Sequence, residues 1–298
     1  MLPQPGGNLE TPLFRQLWED AMERGASSVS SSACDVSISW KNLGNIHPCV
    51  YSFREKFGKD LLILRLIGIQ LETLPDEVGY KLQSLRILSL SNNLLTALPN
   101  SLLLLSNLQE LHLMKNKLAT LPDRIGVLGL KLERLELSSN QLMSLPITFA
   151  ALTRLQKLDT ENNKLSVLPE NLDAMTACKV VNFNHNQLSR LPRCIGRMPS
   201  LVSLSASWNS LTYIPEDICN SRTLRIIRLN LNQIATIPEK IGKLTQLVEL
   251  CLDSNCIRSF PMTFYHLSNL KTLRIENNPN LLIPDVNVIG KYSSTIIF

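Results

Sequence analysis

Histidine and aromatic residues are scarce in this 298-residue chain, and the spacings typical of common active sites are absent. There are four histidines, and Phe, Trp and Tyr together make up 5% of the residues. No H-E-x-x-H, G-x-S-x-G or G-x-x-x-x-G-K-[ST] stretch occurs. We therefore predict a protein that is not an enzyme and has no catalytic residue, no cofactor and no metal site.

Features of secreted and membrane proteins are also missing. The seven cysteines include no C-x-x-C pair or flanking cluster, and no N-x-[ST] sequon occurs. No charged and then apolar signal opens the chain, and the four leucines at 102–105 are far too short a run to span a bilayer. These absences predict a cytoplasmic protein without a membrane span.

Net charge is modest, at +5. Residues 1–60 carry 6 basic and 7 acidic side chains. No part of the sequence has the dense basic stripe typical of proteins that bind nucleic acid. We therefore expect a protein partner and no nucleic acid.

A unit of 23 residues recurs along most of the chain. "LQELHLMKNKLATLP" at 108–122 follows "LRILSLSNNLLTALP" at 85–99 and precedes "LERLELSSNQLMSLP" at 132–146. An asparagine marks the ninth position, with steps of 23 residues except for one step of 24, at Asn93, Asn116, Asn140, Asn163, Asn186, Asn209, Asn232, Asn255 and Asn278. An earlier copy has Ile69 at this position. Ten copies cover residues 61–284.

This period and consensus are those of a leucine-rich repeat, in which no unit buries its apolar edge alone. The first, fourth, sixth, eleventh and fourteenth positions should point inward, and the asparagine should hydrogen-bond backbone groups at a bend after each strand. The predicted fold is an α/β solenoid. It is a leucine-rich-repeat horseshoe with a parallel concave β-sheet and short helical or irregular convex segments.

Residues 1–34 are predicted to hold an amphipathic helix and a serine-rich linker. The helix, at 11–24, has Thr11 as N-cap and one apolar stripe; it either docks on the open first end of the solenoid or binds a separate partner in a groove. "ASSVSSSA" at 26–33 is typical of a flexible linker.

The repeat array is expected to be capped at both ends. Residues 35–60 match a degenerate repeat when Ile38 is aligned with Ala206 and Trp40 with Trp208, which predicts an N-terminal cap. Residues 285–298 depart from the repeat after Pro284 and are predicted to be a C-terminal cap segment with a closing helix. The apolar ending predicts either a cap that is cut short or a larger protein of which this is the recognition part.

The third, fifth, seventh and eighth positions can vary without disturbing the scaffold, so function is expected on the concave face. Glu110, Glu136, Asp159 and Glu161 gather acidic charge there, which would speed association with a basic partner. Trp208, near an arginine, is the expected anchor, although it could instead simply pack beside His185. The predicted partner-binding residues are His112, Glu136, Asp159, Glu161, Asn182, His185, Trp208, Arg228, Asn230, Asp253 and Arg274.

Cys251 falls on a predicted exposed strand position with Asp253 nearby. No histidine occupies the matching position of an adjacent repeat, so we expect an ordinary thiol rather than a nucleophile.

The pattern "LxxLxLxxNxLxxLPxxIxxLxx", seen in "IPEKIGKLTQLVEL" at 237–250, resembles the intracellular 23-residue class of Ras-group scaffold and scribble-type repeat proteins. The resemblance implies a non-catalytic signalling scaffold or adaptor that binds proteins, often a small GTPase or phosphatase, on its concave face. Thr160, Cys178 and Ala206 depart from the pattern by replacing repeat leucines. The alternative is the substrate- or signal-recognition arm of a larger enzyme such as a ubiquitin ligase, kinase or cyclase.

Overall fold

A computed structural model describes residues 61–282 in full and the backbone strands at 26–32, 35–40 and 296–297. The chain divides into two compact units, Met1–Gln141 and Leu142–Phe298. Each unit is built from repeats that contribute one strand, a bend and a short helical segment.

The first unit contains six described strands. They are β1 (Ala26–Ser32), β2 (Asp35–Trp40), β3 (Ile63–Ile67), β4 (Ile87–Ser89), β5 (Glu110–His112) and β6 (Arg134–Glu136). β1 is antiparallel to β2, and β2 to β6 pair in order as parallel neighbours. The intervening segments hold the short helix α1 (Glu77–Lys81) and 3₁₀ helices at Asn100–Leu104 and Ile125–Leu130.

The second unit contains seven described strands, all parallel to their neighbours. They are β7 (Lys157–Asp159), β8 (Val180–Asn182), β9 (Ser203–Ser205), β10 (Ile226–Arg228), β11 (Glu249–Cys251), β12 (Thr272–Arg274) and β13 (Ile296–Ile297). Its 3₁₀ helices are Ile147–Ala151, Leu172–Ala174, Arg193–Arg197, Glu216–Asn220, Ile241–Lys243 and Met262–His266.

The leucine positions form the core of both units. In the repeat that contains β5, Leu108, Leu111 and Leu113 are at most 1% exposed, while their neighbours Glu110 and His112 are only partly buried. This alternation confirms the inward positions expected from the spacing. The substituted positions Thr160, Cys178 and Ala206 are equally buried, so smaller side chains are accommodated there.

The asparagines tie each repeat to the one before it. Asn116 Oδ1 accepts from Leu95 N–H at 3.1 Å, and its Nδ2 donates to the carbonyls of Leu90 at 2.9 Å and Leu113 at 3.1 Å. One buried amide thereby satisfies three backbone groups that the bend would otherwise leave unpaired. The predicted role of the asparagine column is confirmed within each unit.

Close packing of the helical segments explains the glycine in the repeat. A Cβ on Gly242 would lie 2.1 Å from the carbonyl oxygen of Thr263 in the next repeat. Glycine is therefore required here because two backbones approach closely, and not because of an unusual φ.

The structure differs from the sequence prediction at residues 26–33, which were expected to be a flexible linker. Residues 26–32 form β1, with Val29 opposite Ile38. The hydrogen bonds of a strand pair come from the backbone, so a serine-rich segment can form one when a neighbouring strand is available. In β2, Ile38 lies opposite Leu66 of β3, at the sixth repeat position.

The predicted helix at 11–24 lies outside the described residues, as does most of the predicted cap at 285–298. Ile296 of β13 lies opposite Leu273 of β12, exactly one 23-residue step further along the chain. Within the described part of the chain, no helix has the length and hydropathy needed to cross a bilayer.

Candidate functional site

The third, fifth and seventh repeat positions project from the strands on the side away from the leucine core, and we call this surface the strand face. Exposed or partly buried side chains here alternate with a buried leucine, valine or isoleucine along β5, β7, β8 and β10. All of the predicted partner-binding residues lie on the strand face or at the eighth position beside it. Each unit holds part of the set.

In the first unit, His112 lies between two carboxylates. Its Nδ1 is 2.7 Å from Glu136 Oε2 and its Nε2 is 3.1 Å from Glu110 Oε2. Arg134 also contacts Glu110, at 3.3 Å. A neutral imidazole can donate to only one carboxylate, whereas an imidazolium donates to both. Both carboxylates of this cluster, Glu110 and Glu136, therefore already have hydrogen-bond partners within it.

In the second unit, Asn182 bridges Asp159 and Glu161. Its Nδ2 donates to Asp159 Oδ1 at 3.2 Å and to Glu161 Oε2 at 2.9 Å. Lys157 pairs with Asp159 at 3.0 Å. Glu161 thus meets a neutral amide, which orients its carboxylate without neutralising it. This negative group remains on the strand face to attract a cation.

Three serines form a shallow floor on the strand face of the second unit. Ser203, Ser205 and Ser207 occupy the third, fifth and seventh positions of one repeat and are all buried. Ser207 donates from its hydroxyl to Asn230 Oδ1 at 2.5 Å and from its amide to Asn184 Oδ1 at 2.8 Å.

Trp208 stands beside this floor. Its indole stacks on the His185 ring, with 5.1 Å between centroids and an interplanar angle of 18°. Trp208 is nevertheless 52% exposed. The indole therefore packs beside His185 and still presents a large aromatic surface, and its role as an anchor stays a prediction.

Backbone bonds hold Trp208 in a left-handed conformation with φ of 56°. Its N–H donates to Asn230 O at 3.1 Å, and the next amide donates to Leu231 O at 3.3 Å. The residue has little freedom to move away from the surface. A bulky side chain in this conformation is sterically unfavourable.

Of the remaining predicted residues of the second unit, Arg228 pairs with Glu249. Arg228 donates from Nε at 2.6 Å and from Nη2 at 3.0 Å to the two oxygens of Glu249. Arg228 is therefore engaged by a carboxylate of the following repeat. Asp253 has one buried carboxylate oxygen without a hydrogen-bond partner among the described residues, and Arg274 is exposed.

The prediction that Cys251 is exposed was wrong. Its side chain is 4% exposed, with Sγ 3.5 Å from Glu249 Oε1. Burial, and then the nearby Glu249 carboxylate, raise the pKa of the Cys251 thiol to about 12. Burial likewise raises the pKa of Cys178 and of Cys219 to about 11. These thiols are protonated at neutral pH and are poor nucleophiles.

Sequence reasoning placed the site residues on one face but missed their partners. The serine floor and the bidentate role of Glu249 were not singled out, although three serines at alternate positions of one repeat were visible in the sequence.

In the described part of the chain, no group of three or more His, Cys, Asp or Glu side chains is arranged to hold a metal ion.

Solved structures resemble this arrangement. The ectodomain of the Arabidopsis thaliana membrane receptor kinase GASSHO1/SCHENGEN3, in complex with CASPARIAN STRIP INTEGRITY FACTOR 2, is 27% identical with a TM-score of 0.67, over 83% of this chain and 32% of that one. The Drosophila Toll–Spatzle complex gives 25% identity and a TM-score of 0.64, over 74% and 35% of the two chains. This chain thus spans about a third of the length of both.

A third structure shares the fold over nearly its whole length. A chain of the octameric complex of Latrophilin 3, Unc5D and FLRT2 (LRR) has a TM-score of 0.69 at 23% identity, covering 90% of this chain and 92% of that one. No curated protein sequence matches the chain.

The family assignment comes from the repeats themselves. The leucine-rich repeat model matches residues 61–118, 106–165 and 222–279, which together make up more than half of the chain. These matches coincide with the leucine core, the asparagine bends and the parallel strands described above. The chain belongs to the leucine-rich repeat family.

Proposed function

We propose that this protein is a non-catalytic interaction module that binds a protein partner on the strand face of its second unit, with Trp208 as the anchor. Leucine-rich repeats generally mediate protein–protein contact, and the fold is generally a binding module without catalytic activity. The observation that carries the proposal is Trp208 itself, a half-exposed indole held at a sterically unfavourable φ.

The neighbouring groups suit a protein ligand. The serine floor and Asn230 supply hydrogen-bonding groups beside the indole, and Glu161 adds a carboxylate that accepts from the Asn182 amide. Aromatic anchors surrounded by weaker polar contacts carry most of the affinity in many interfaces. Trp208 would be the anchor, and the polar groups would set the orientation of the partner.

The finer proposal is a cytoplasmic signalling scaffold or adaptor. It rests on the resemblance of the 23-residue pattern to Ras-group scaffold and scribble-type repeats. That resemblance makes a small GTPase or a phosphatase the first partner class to examine.

The test compares Trp208→Ala with Tyr213→Ala. Both change an exposed aromatic residue of the second unit, 52% and 43% exposed, but Tyr213 is at the thirteenth repeat position, off the strand face. Proteins captured by the full chain are identified by mass spectrometry, and the purified partner is then measured by calorimetry. We expect Trp208→Ala to weaken binding by about tenfold or more, and Tyr213→Ala to leave it unchanged. Equal affinities of the partner for both variants and the parent chain would show that Trp208 is not part of the binding site.

A second candidate is the recognition part of a larger protein. It is favoured by the similarity to the GASSHO1/SCHENGEN3 ectodomain, which belongs to a membrane receptor kinase. The mass of the endogenous protein, determined with an antibody against residues 61–282, decides between the two. A species near 33.5 kDa favours the adaptor, and a much larger one favours the recognition arm.

A further inference from the structure

The segments that lead into the strands of the second unit carry cations and no carboxylate. Six windows end at the second repeat position and cover residues 151–156, 174–179, 197–202, 220–225, 243–248 and 266–271. They contain no Asp or Glu, and their Lys and Arg residues are Arg154, Lys179, Arg197, Arg222, Arg225, Lys243 and Lys271. This one-sided composition contrasts with the mixed charge of the strand face.

The last residues of five windows form a continuous row, which we call the basic edge: Lys179, Val202, Arg225, Val248 and Lys271. The amides of the last four each donate to the carbonyl of the preceding member, at 2.8, 2.9, 2.8 and 2.8 Å respectively. The row is therefore held by backbone hydrogen bonds, and its members immediately precede β8 to β12 in order.

Cationic and apolar side chains alternate along the basic edge. Lys179, Arg225 and Lys271 are exposed, and the two valines between them are partly buried. Neighbouring strands are about 4.8 Å apart, so successive cations are separated by about 10 Å with a methyl surface halfway between them.

This spacing matches one face of an α-helix. Two residues three or four positions apart are separated by about 5 Å along the helix axis, and two residues seven positions apart by about 10.5 Å. Acidic residues seven positions apart would meet the cations, and apolar residues halfway between them would meet the valines. The accumulated mismatch over the whole row is roughly 2 Å, which flexible lysine and arginine side chains can absorb.

An extended peptide does not match as well. Its side chains on one face are about 6.8 Å apart, which corresponds to neither the strand spacing nor twice that spacing. We propose that the basic edge is a docking site for an acidic amphipathic helix of a partner protein, lying across the ends of β8 to β12. The basic edge shares no residue with the Trp208 site, so the two proposals can fail separately.

The test uses the full chain and a fluorescent helical peptide of about 16 residues. On one face of the peptide, glutamate and leucine alternate at intervals of three or four positions. The fluorescence anisotropy of the peptide reports its binding. The variant Lys179→Glu/Arg225→Glu is compared with Arg190→Glu/Lys240→Glu. The control pair has the same change in net charge and is exposed, and among the described residues it breaks the surface ion pairs with Glu170 and Glu216.

We expect the peptide to bind the parent chain and the control, and the basic-edge variant to lose affinity by about tenfold or more. Val202→Ser/Val248→Ser should also weaken binding, because it removes the apolar half of the pattern. Urea unfolding of every variant shows that the fold is intact.

Three results would overturn the proposal. They are no binding of the peptide to the parent chain, equal weakening by the basic-edge and control pairs, and tighter binding of phosphatidylserine vesicles or duplex DNA than of the peptide. The last result would assign the basic edge to a membrane surface or to nucleic acid instead.

Discussion

The eighth repeat position shows most clearly how a single residue can serve folding or recognition. Asn92, Asn162 and Asn277 adopt positive φ there, as expected for a residue type that tolerates the left-handed region. His185, Trp208 and Leu231 adopt the same conformation in three successive repeats, with φ of 52°, 56° and 56°. The conformation belongs to the bend of every described repeat, and these three repeats place a bulky side chain where such residues are disfavoured.

Trp208→Asn should therefore separate the two roles. Relief of the unfavourable φ and loss of the stack on His185 oppose each other, and each amounts to about 1 kcal/mol. We expect the free energy of unfolding, measured in urea, to change by no more than about 1 kcal/mol, while affinity for the partner falls by tenfold or more. A large loss of stability would make Trp208 a structural residue.

The buried thiols predict a pH dependence. Folding raises the pKa of Cys178 and Cys219 to about 11 and of Cys251 to about 12, from an ordinary value of 9.0. Below pH 9 these thiols are neutral in both states. Above it the unfolded chain ionises first and is favoured, so the free energy of unfolding should fall as the pH rises from 9 towards 12.

Urea titrations at pH 8, 9 and 10 measure this decline, and the variant Cys178→Ala/Cys251→Ala should reduce its slope. As an independent readout, iodoacetamide at pH 8 should label the exposed Cys256 before Cys178, Cys194, Cys219 or Cys251. Equal labelling of all five would show that these sites open readily.

At the level of the repeat element, the strand, bend and helical segment are held together by the asparagine more than by their own propensities. Each strand of β4 to β12 has only three residues, and within the described part of the second unit the helical segments are 3₁₀ helices of three to five residues. Elements this short are not stable alone. Hydrogen bonds between neighbouring repeats supply the missing stability.

Asn232→Ala tests this dependence. Asn232 Oδ1 accepts from Leu211 N–H at 2.9 Å, and Nδ2 donates to the carbonyls of Ala206 at 2.9 Å and Leu229 at 3.0 Å. Leaving these buried groups unpaired should lower the free energy of unfolding by about 2 kcal/mol or more. Gln233→Ala, at the exposed next position, should change it by less than about 0.5 kcal/mol in the same urea titration.

For the whole molecule, the distribution of charge matters more than its net value of +5. Carboxylates such as Glu136 and Asp159 lie on the strand face of their respective units, whereas the basic edge borders the strands of the second unit. A protein that presents both signs on different surfaces can orient a charged partner before contact.

Reversing two carboxylates, in Glu136→Lys/Asp159→Lys, should lower the association rate constant for a basic partner. The effect should be larger at 50 mM than at 300 mM salt, because exposed charges are screened. Stopped-flow measurements report the rate, and Glu72→Lys/Glu239→Lys provides a control with the same change in charge at exposed positions off the strand face. An association rate that is indifferent to the first pair would exclude electrostatic attraction by the strand face.

The fold could be predicted from the repeat spacing because each inward leucine is specified locally. A side chain alternates sides along a strand regardless of its neighbours, so Leu111 and Leu113 had to be buried once the strand existed. The same argument placed the candidate site on one face. It could not predict that Cys251 is buried, since its burial depends on how the neighbouring strands pack, where Arg228 and Arg274 lie opposite it.

Local spacing therefore determined the repeat, its core and the surface on which function is expected. Stacking of the repeats decided which side chains meet: His112 with Glu136, Asn182 with Glu161, Trp208 with His185, and Arg228 with Glu249. These partners lie 21 to 24 residues apart in sequence, so their contact depends on the register between strands. That register is a property of the packed array and is not present in any single repeat.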